Sequence, residues 1–211
     1  MADHEQAAET GAPRYTRTGD EGITTLGDRS RVEKTDPRIA AYAACEEANT
    51  ALGLALASGA FPKDVVTVLA RLQNDLIEVE GDLGTPLKDR DDRQSRIDEN
   101  YVRRIEEACE HFSSQLPELS SFVIPGGTLG GAMLHRAYTD VRRAERATWS
   151  AVDQCGDVNV RTGRYLNRLS ELLFVLARTA NAEHGDTLWQ PGLTARVGLL
   201  PSTDEEAATQ E

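Results

Sequence analysis

The tripeptide Pro125-Gly126-Gly127 can continue no regular element, and Thr128 behind it is a good helix N-cap. From Thr128 a helix can run unbroken to about Gln154, until Gly156 stops it. At 100° per residue its faces separate. Leu134, Ala137, Val141, Ala144 and Thr148 form a narrow stripe suited to close helix packing. Arg136, Asp140 and Arg143 fall on a second face, expected to be solvated. His135, Thr139, Arg142, Glu145, Arg146 and Trp149 line the third. Cations and an indole along one helical line, beside a Gly-rich turn, fit an anion site. An exposed helix laced with Arg–Glu pairs fits the same pattern.

The rest of the chain supplies partners for that rod. Asp36 caps and Pro37 opens a helix to about Ser58, with Tyr42, Glu46, Asn49 and Gly53 on one face, read as a polar surface stripe. A second helix runs from near Pro62 to about Leu83, with Val65, Val68, Leu69, Leu72, Leu76 and Val79 inward. A polar loop from Gly84 to Gln94 leads to a third, Arg96 to about Gln115, buried along Ile97, Tyr101, Ile105, Ala108 and Phe112. Asn159 caps the last, to about Asn181. Its core side carries Tyr165, Leu166, Leu169, Leu172, Leu173 and Leu176, and its opposite side Arg164, Asn167, Glu171 and Arg178. Gly163 is a flaw there, costing about 1 kcal/mol against alanine. Trp189 is the one large anchor beyond Gly185. Five helices, no sheet and short connections predict one antiparallel helical bundle, between a disordered leader (1–13) and a mobile acidic tail.

Net charge is −12 over 211 residues, which opposes nucleic-acid binding and makes the central arginines a local exception suited to a small polyanion. Three widely spaced cysteines without C-x-x-C suggest neither disulfides nor zinc. The leader is no signal peptide, and no apolar run approaches the roughly 18 residues needed to span a bilayer, so a cytoplasmic location is expected.

Near the amino end, Tyr15 to Asp28 (YTRTGDEGITTLGD) is too rich in Gly, Thr and Asp for a helix. It reads as a short extended piece and a tight loop. Threonine hydroxyls and glycine-exposed N–H groups can wrap phosphate oxygens, as an ordinary turn also presents them. Arg29, Arg31 and Lys34 add charge, but neither a Walker A loop nor G-x-G-x-x-G is present. Glu-x-x-His, the di-iron signature, fails at His111 and His135, where the residues three before are Ala108 and Ala132. His4 and His184 read as incidental, and no nucleophile elbow is found. Glu145 could be a base or the partner of Arg142.

Four motifs in order are more specific: Tyr15–Leu26 (YTRTGDEGITTL), Phe122–Gly127 (FVIPGG), Arg142–Arg146 (RRAER) and Tyr165–Arg178 (YLNRLSELLFVLAR). Over about residues 14–192 they closely resemble the PduO-type ATP:corrinoid adenosyltransferases. The resemblance implies an all-α, five-helix bundle assembled as a homotrimer, with ATP between neighbouring subunits. It implies that cob(I)alamin attacks the 5′ carbon of ATP, giving adenosylcobalamin and triphosphate, with Mg²⁺ on the phosphates. Carried over, Thr16, Arg17, Thr18, Gly19, Asp20 and Gly22 hold the nucleotide, and Thr24, Thr25 and Lys34 complete the loop side. Arg142, Arg143, Glu145, Arg146 and Asn167 form the other wall, donated by a neighbouring chain, with Arg142 and Asn167 also catalytic. Phe122 matches the aromatic residue pressed on the lower face of the corrin.

Implied partners are an adenosylcobalamin-dependent mutase as recipient and a flavin or other reductase as electron source. This chain departs from the family twice. Tyr138 stands where relatives have Arg, and Glu46-Glu47-Ala48-Asn49 replaces Asp-Glu-x-Asn, leaving Glu46 to pair with Arg142 across an interface. The rival readings are a non-catalytic adenosylcobalamin carrier and a nucleotide-binding bundle without corrinoid chemistry.

Overall fold

The computed structural model describes residues 15–59, 61–87 and 96–199. Two short strands, β1 (Ile23–Thr25) and β2 (Arg31–Glu33), precede helices α1 (Pro37–Ser58), α2 (Lys63–Leu83), α3 (Glu99–Ser113), α4 (Leu129–Cys155), α5 (Val160–Ala180) and the short α6 (Leu193–Val197). The expectation of an all-α chain without a sheet is corrected by β1 and β2, which pair antiparallel with Thr24 opposite Val32. β-branched Ile23, Thr24, Thr25 and Val32 suit that ladder. The turn closes through Asp28, whose Oδ1 accepts from Ser30 N (2.9 Å) and Oγ (2.6 Å). The leader, the loop at 88–95 and the tail from 200 lie outside the described residues.

The long helices start where their capping chemistry places them. Asp36 accepts from Arg38 N (2.8 Å), Thr128 from Gly131 N (3.0 Å) and Asn159 from Arg161 N (3.1 Å). Gly156 closes α4 in the left-handed conformation (φ 71°). α3 starts three residues later than expected, at Glu99, because Asp98 caps it while Asp82 holds Ile97 N (2.8 Å) and Arg96 Nη1 (2.6 Å).

α4 packs between α1 and α5, α5 also packs on α3, and α1 on α2. The α4 stripe Leu134, Ala137, Val141 and Ala144 is fully buried against the small side chains Ala41, Ala44, Ala48, Ala51 and Ala55 of α1. Contacts at the ends fix direction. Arg38 at the start of α1 donates to Leu83 O (2.9 Å) at the end of α2 and pairs with Asp157 just past α4. Asn159 Nδ2 at the start of α5 donates to Ile97 O (2.8 Å) before α3. Asn181 at the end of α5 accepts from Thr128 N (2.9 Å) before α4. Consecutive helices therefore alternate, but α3 and α5, which touch, run parallel. That is the antiparallel bundle expected, since with five alternating rods the first, third and fifth point one way; the difference is the short α6, which makes six helices where five were expected.

Four expected faces are also corrected, each in part. Asp140 is buried, not solvated, accepting from Arg136 Nε (2.7 Å) and Arg143 Nη2 (3.3 Å). His135 is buried with its ring centroid 6.0 Å from that of Phe174, off the cationic face, and burial lowers its pKa. Arg178 is buried, donating to Asp186 Oδ2 and Pro117 O (2.7 Å each). Of the Tyr42–Gly53 stripe, Glu46 is exposed as expected, but Tyr42, Asn49 and Gly53 are half-buried beside α2, where Asn49 and Gln73 exchange side chain-to-carbonyl hydrogen bonds of 3.2 Å. Among the described residues, no helix is long and apolar enough to cross a membrane.

Candidate functional site

Three groups of expected site residues occupy three places on the bundle. The first is the hairpin end. Thr16 and Thr18 share a hydroxyl contact of 2.8 Å, and Arg31 Nη2 reaches Thr18 O at 3.5 Å. The backbone turns back through Asp20 N to Arg17 O (3.3 Å) and Gly22 N to Gly19 O (3.2 Å), and Lys34 N closes on Gly22 O (2.8 Å). Arg17 (φ 61°) and Gly22 (φ 79°) both take left-handed backbone. The Lys34 amine lies over Gly19, where an added Cβ would sit 3.0 Å from Nζ. Thr16, Arg17, Thr18, Asp20, Gly22, Thr25 and Lys34 are exposed, Gly19 and Thr24 half-buried: an open cradle of hydroxyls, N–H groups and cations. Gly27 N to Gly84 O (2.9 Å) holds the hairpin at the end of the bundle where α1 begins and α2 stops.

The second place is the outer face of α4. Arg142 and Arg146 are exposed, and neither is paired with a carboxylate among the described residues. The Arg142 guanidinium lies 5.4 Å from the Tyr138 ring centroid, and Arg146 Nη1 donates to Arg142 O (3.2 Å). Glu145 Oε1 accepts from both Asn167 Nδ2 and Trp149 Nε1 (3.3 Å each), so it joins α4 to α5 and orients Asn167. Arg168, which sequence reasoning did not single out, donates to Asn167 Oδ1 (2.8 Å). The Trp149 ring lies on the α5 backbone at Gly163. Arg143 faces elsewhere, paired with Glu47 of α1 and with Asp140. The structure thus groups Arg142, Glu145, Arg146 and Asn167, and sets Arg143 apart.

The third place is the far end, where α4 begins and α5 stops. Phe122 is 77% exposed, with its ring centroid 6.0 Å from that of Trp189. Arg142 and Arg146 lie about 20 and 27 Å along α4 from Thr128 at that end.

Glu46, named as an interface partner, is exposed and lines a cleft of about 320 Å³ between α1 and α2 with Asn49, Thr50, Gln73, Ile77 and Glu80. Sequence spacing missed Glu80. Burial, then the Glu46 charge, pushes its carboxyl up to about 7 against the opposing Asn49 hydrogen bond. Among the described residues, no three His, Cys, Asp or Glu side chains gather as a metal site. The donor set fits magnesium carried on nucleotide phosphates, with at most a carboxylate such as Asp20 beside it.

Exposed guanidiniums with no carboxylate partner among the described residues, and an open cradle of hydroxyls and N–H groups, are chemistry suited to a small polyanion. Residues 14–180 match the model of one family, cobalamin adenosyltransferase. A corrinoid adenosyltransferase of Mycobacterium tuberculosis (strain H37Rv) is 51% identical over 180 residues, 84% of this chain and 93% of that one. The corrinoid adenosyltransferase of Bacillus subtilis (strain 168) is 35% identical over 81% of this chain and 88% of its own. A solved phenylalanine-to-alanine variant of a PduO-type ATP:corrinoid adenosyltransferase from Lactobacillus reuteri, complexed with cobalamin and ATP, superposes with a TM-score of 0.76. It is 30% identical, over 84% of this chain and 99% of that one. This chain belongs to the cobalamin adenosyltransferase family, of the PduO type.

Proposed function

We propose that the chain transfers the 5′-deoxyadenosyl group of ATP to cob(I)alamin at a site shared between copies, the hairpin of one facing the α4 cations of the next. The carrying observation is that Arg142 and Arg146 stand exposed with no carboxylate partner among the described residues, on the face that also holds Asn167. A second observation supports assembly: hairpin and Phe122 sit at opposite ends of a bundle on the order of 30 Å long, the length of α5. That is too far for both to touch one ATP–corrinoid pair within a single chain. A homotrimer brings the two walls from different subunits, and the acidic α1–α2 cleft with Glu46 offers the partner subunit's Arg142 a counter-charge.

The chemistry fits these residues. Cobalt(I) is a nucleophile with no proton to lose, so no general base is needed, and Glu145 serves as an orienting group. Negative charge develops on the departing triphosphate. The Arg142 and Arg146 guanidiniums, with the Thr16 and Thr18 hydroxyls and the Lys34 amine, would meet it there. Magnesium on the phosphates, when bound, adds further neutralisation there. Asn167, fixed from both sides by Glu145 and Arg168, positions the nucleoside so that the 5′ carbon lies in line with cobalt. Phe122 excludes an axial ligand from the lower face of the corrin, which eases reduction of cobalt(II).

Anaerobic turnover with ATP and chemically reduced cobalamin, followed by corrinoid absorbance and triphosphate release, tests the activity. Adenosylcobalamin and triphosphate in equal amounts, formed with no other protein present, are the expected products. Binding without triphosphate leaves only a carrier. Phe122→Ala is expected to slow turnover from cob(II)alamin about a hundredfold, some 2.7 kcal/mol of barrier, while ATP affinity stays within about twofold. An unchanged rate removes Phe122 from the mechanism.

A further inference from the structure

Phe122 does not stand alone. Val123 and Leu188 form an isolated antiparallel bridge. Around it, Trp189 N donates to Phe122 O (2.8 Å) and Ile124 N to Thr187 O (2.8 Å). Ser121 Oγ donates to Trp189 O (2.8 Å). In that register Phe122 lies directly opposite Trp189, so both side chains leave the same face of the ribbon. Their ring centroids are 6.0 Å apart and their planes 59° apart. Ile124, two residues along, shares the face. All three are open to solvent, at 77% for Phe122, 46% for Trp189 and 45% for Ile124. Val123 and Leu188, on the other face, are half-buried.

This apolar face is built rigidly. Arg178, itself buried, clamps both strands, donating to Pro117 O ahead of one and to Asp186 Oδ2 ahead of the other (2.7 Å each). Asn181 Nδ2 donates to Gly126 O (2.9 Å), just beyond the first strand. Gly127 (φ 92°) allows that approach, because an added Cβ would meet the Asn181 amide at 2.5 Å. Apolar side chains carried exposed on a ribbon whose backbone is held this firmly gain nothing from water; the face suits an apolar occupant.

We propose that Trp189 is a second corrinoid-contacting residue, which with Phe122 forms a two-ring wall against the lower face and edge of the macrocycle. The inference rests on the reading of Phe122 given above. Two rings inclined to one another cannot both lie flat on a plane. Phe122, the more exposed, takes the macrocycle's face, and the indole covers its rim beside Ile124. The backbone pairing of Trp189 with Phe122 does not depend on the indole, so removing the ring leaves the ribbon in place. A second copy of the chain is the other occupant such a face could take, and the experiment separates the two.

Full-length protein with saturating ATP is titrated anaerobically with cob(II)alamin, and the change in corrinoid absorbance gives affinity and the extent of axial-ligand loss. Sedimentation gives the assembly state of every variant. Trp189→Ala is expected to weaken cob(II)alamin binding about tenfold at unchanged ATP affinity and unchanged assembly, while Trp189→Phe stays within about threefold. Phe122→Ala abolishes the axial-ligand change. If Trp189→Ala binds cob(II)alamin as wild type does while Phe122→Ala loses the spectral change, the proposal fails and the reading of Phe122 survives. If neither variant alters the titration, the ribbon is not the corrinoid site and both fail. Loss of assembly in Trp189→Ala, with normal corrinoid affinity in what remains assembled, makes the face a contact between copies and overturns the proposal.

Discussion

Gly163 sits in the second turn of α5, where helix propensity alone favours alanine by about 1 kcal/mol. The Trp149 ring occupies the space an alanine methyl would need, 2.9 Å from Cε2 and Cζ2. A rigid indole yields less readily than a flexible side chain, and overpacking costs about 1–3 kcal/mol. Gly163→Ala is therefore expected to lower denaturant stability by up to about 2 kcal/mol, the two effects partly cancelling. Turnover should fall as well, because the displaced indole pulls on Glu145, which also holds Asn167. The apparent flaw is what lets α4 and α5 close behind the site. Glu80 makes a second case. Its carboxyl is raised to about 7 in the fold, so the folded protein holds a proton that the unfolded chain releases near its ordinary carboxylate value. Between those values stability falls as pH rises, and above about 7 the ionised, desolvated group imposes its full cost. Glu80→Gln is expected to melt within about 1 °C of wild type at pH 4.5 and about 2–6 °C higher at pH 8. Parallel melting curves across that range would show that water or a cation already relieves the charge.

At the scale of elements, the starts of α3 and α5 and the end of α2 meet on one buried carboxylate. Asp82, 1% exposed, accepts from Arg96 Nη1 (2.6 Å), Ile97 N (2.8 Å) and Asn159 Nδ2 (2.7 Å). Asp82→Ala leaves the buried Ile97 N–H without its acceptor and strips Arg96 of its counter-charge, although Arg96 keeps carbonyl partners and Asn159 Nδ2 keeps Ile97 O, so a loss of about 3–5 kcal/mol is expected. A lower denaturant midpoint with unchanged slope is the signature; a changed slope would mean that α3 detaches first. The same junction explains what could be read beforehand. Caps at Asp36, Thr128 and Asn159 act within three residues, so helix starts are legible from local sequence. Facing is not. A helical wheel gives angles between side chains but not what stands opposite: Asp140 has its counter-ions on its own helix, yet the wheel does not show that it is covered, and Arg178 meets Asp186 only once the chain turns back beyond α5. β1 and β2 escaped because three-residue strands carry too little alternation to register. The cradle and the α4 cations were visible as residue types in order. The Glu145–Asn167 contact and the pairing of Phe122 with Trp189 join residues far apart in sequence, which only the packed bundle brings together.

At the scale of the molecule, the separation of hairpin, cationic face and aromatic ribbon on one bundle makes a prediction about mixed assemblies. If the cradle of one subunit meets α4 of the next, a cradle variant and an α4 variant each lack every complete site when pure. Thr18→Ala combined with Lys34→Ala removes a cradle hydroxyl and a cation; Arg142→Ala removes the guanidinium, without touching the Asp82 junction or the α1–α4 seam. Unfolded together in equal amounts and refolded, the two chains assemble at random. A shared site works only when an intact hairpin, from an Arg142→Ala subunit, adjoins an intact α4, from a cradle-variant subunit. Half the subunits offer each wall, so about a quarter of the sites should be whole and adenosylcobalamin formation should recover to about a quarter of wild type. Mixing without refolding, where subunits do not exchange, should recover nothing. A site contained within one chain predicts the reverse: however the two are mixed, each chain carries its own lesion, and activity stays at the level of the pure variants.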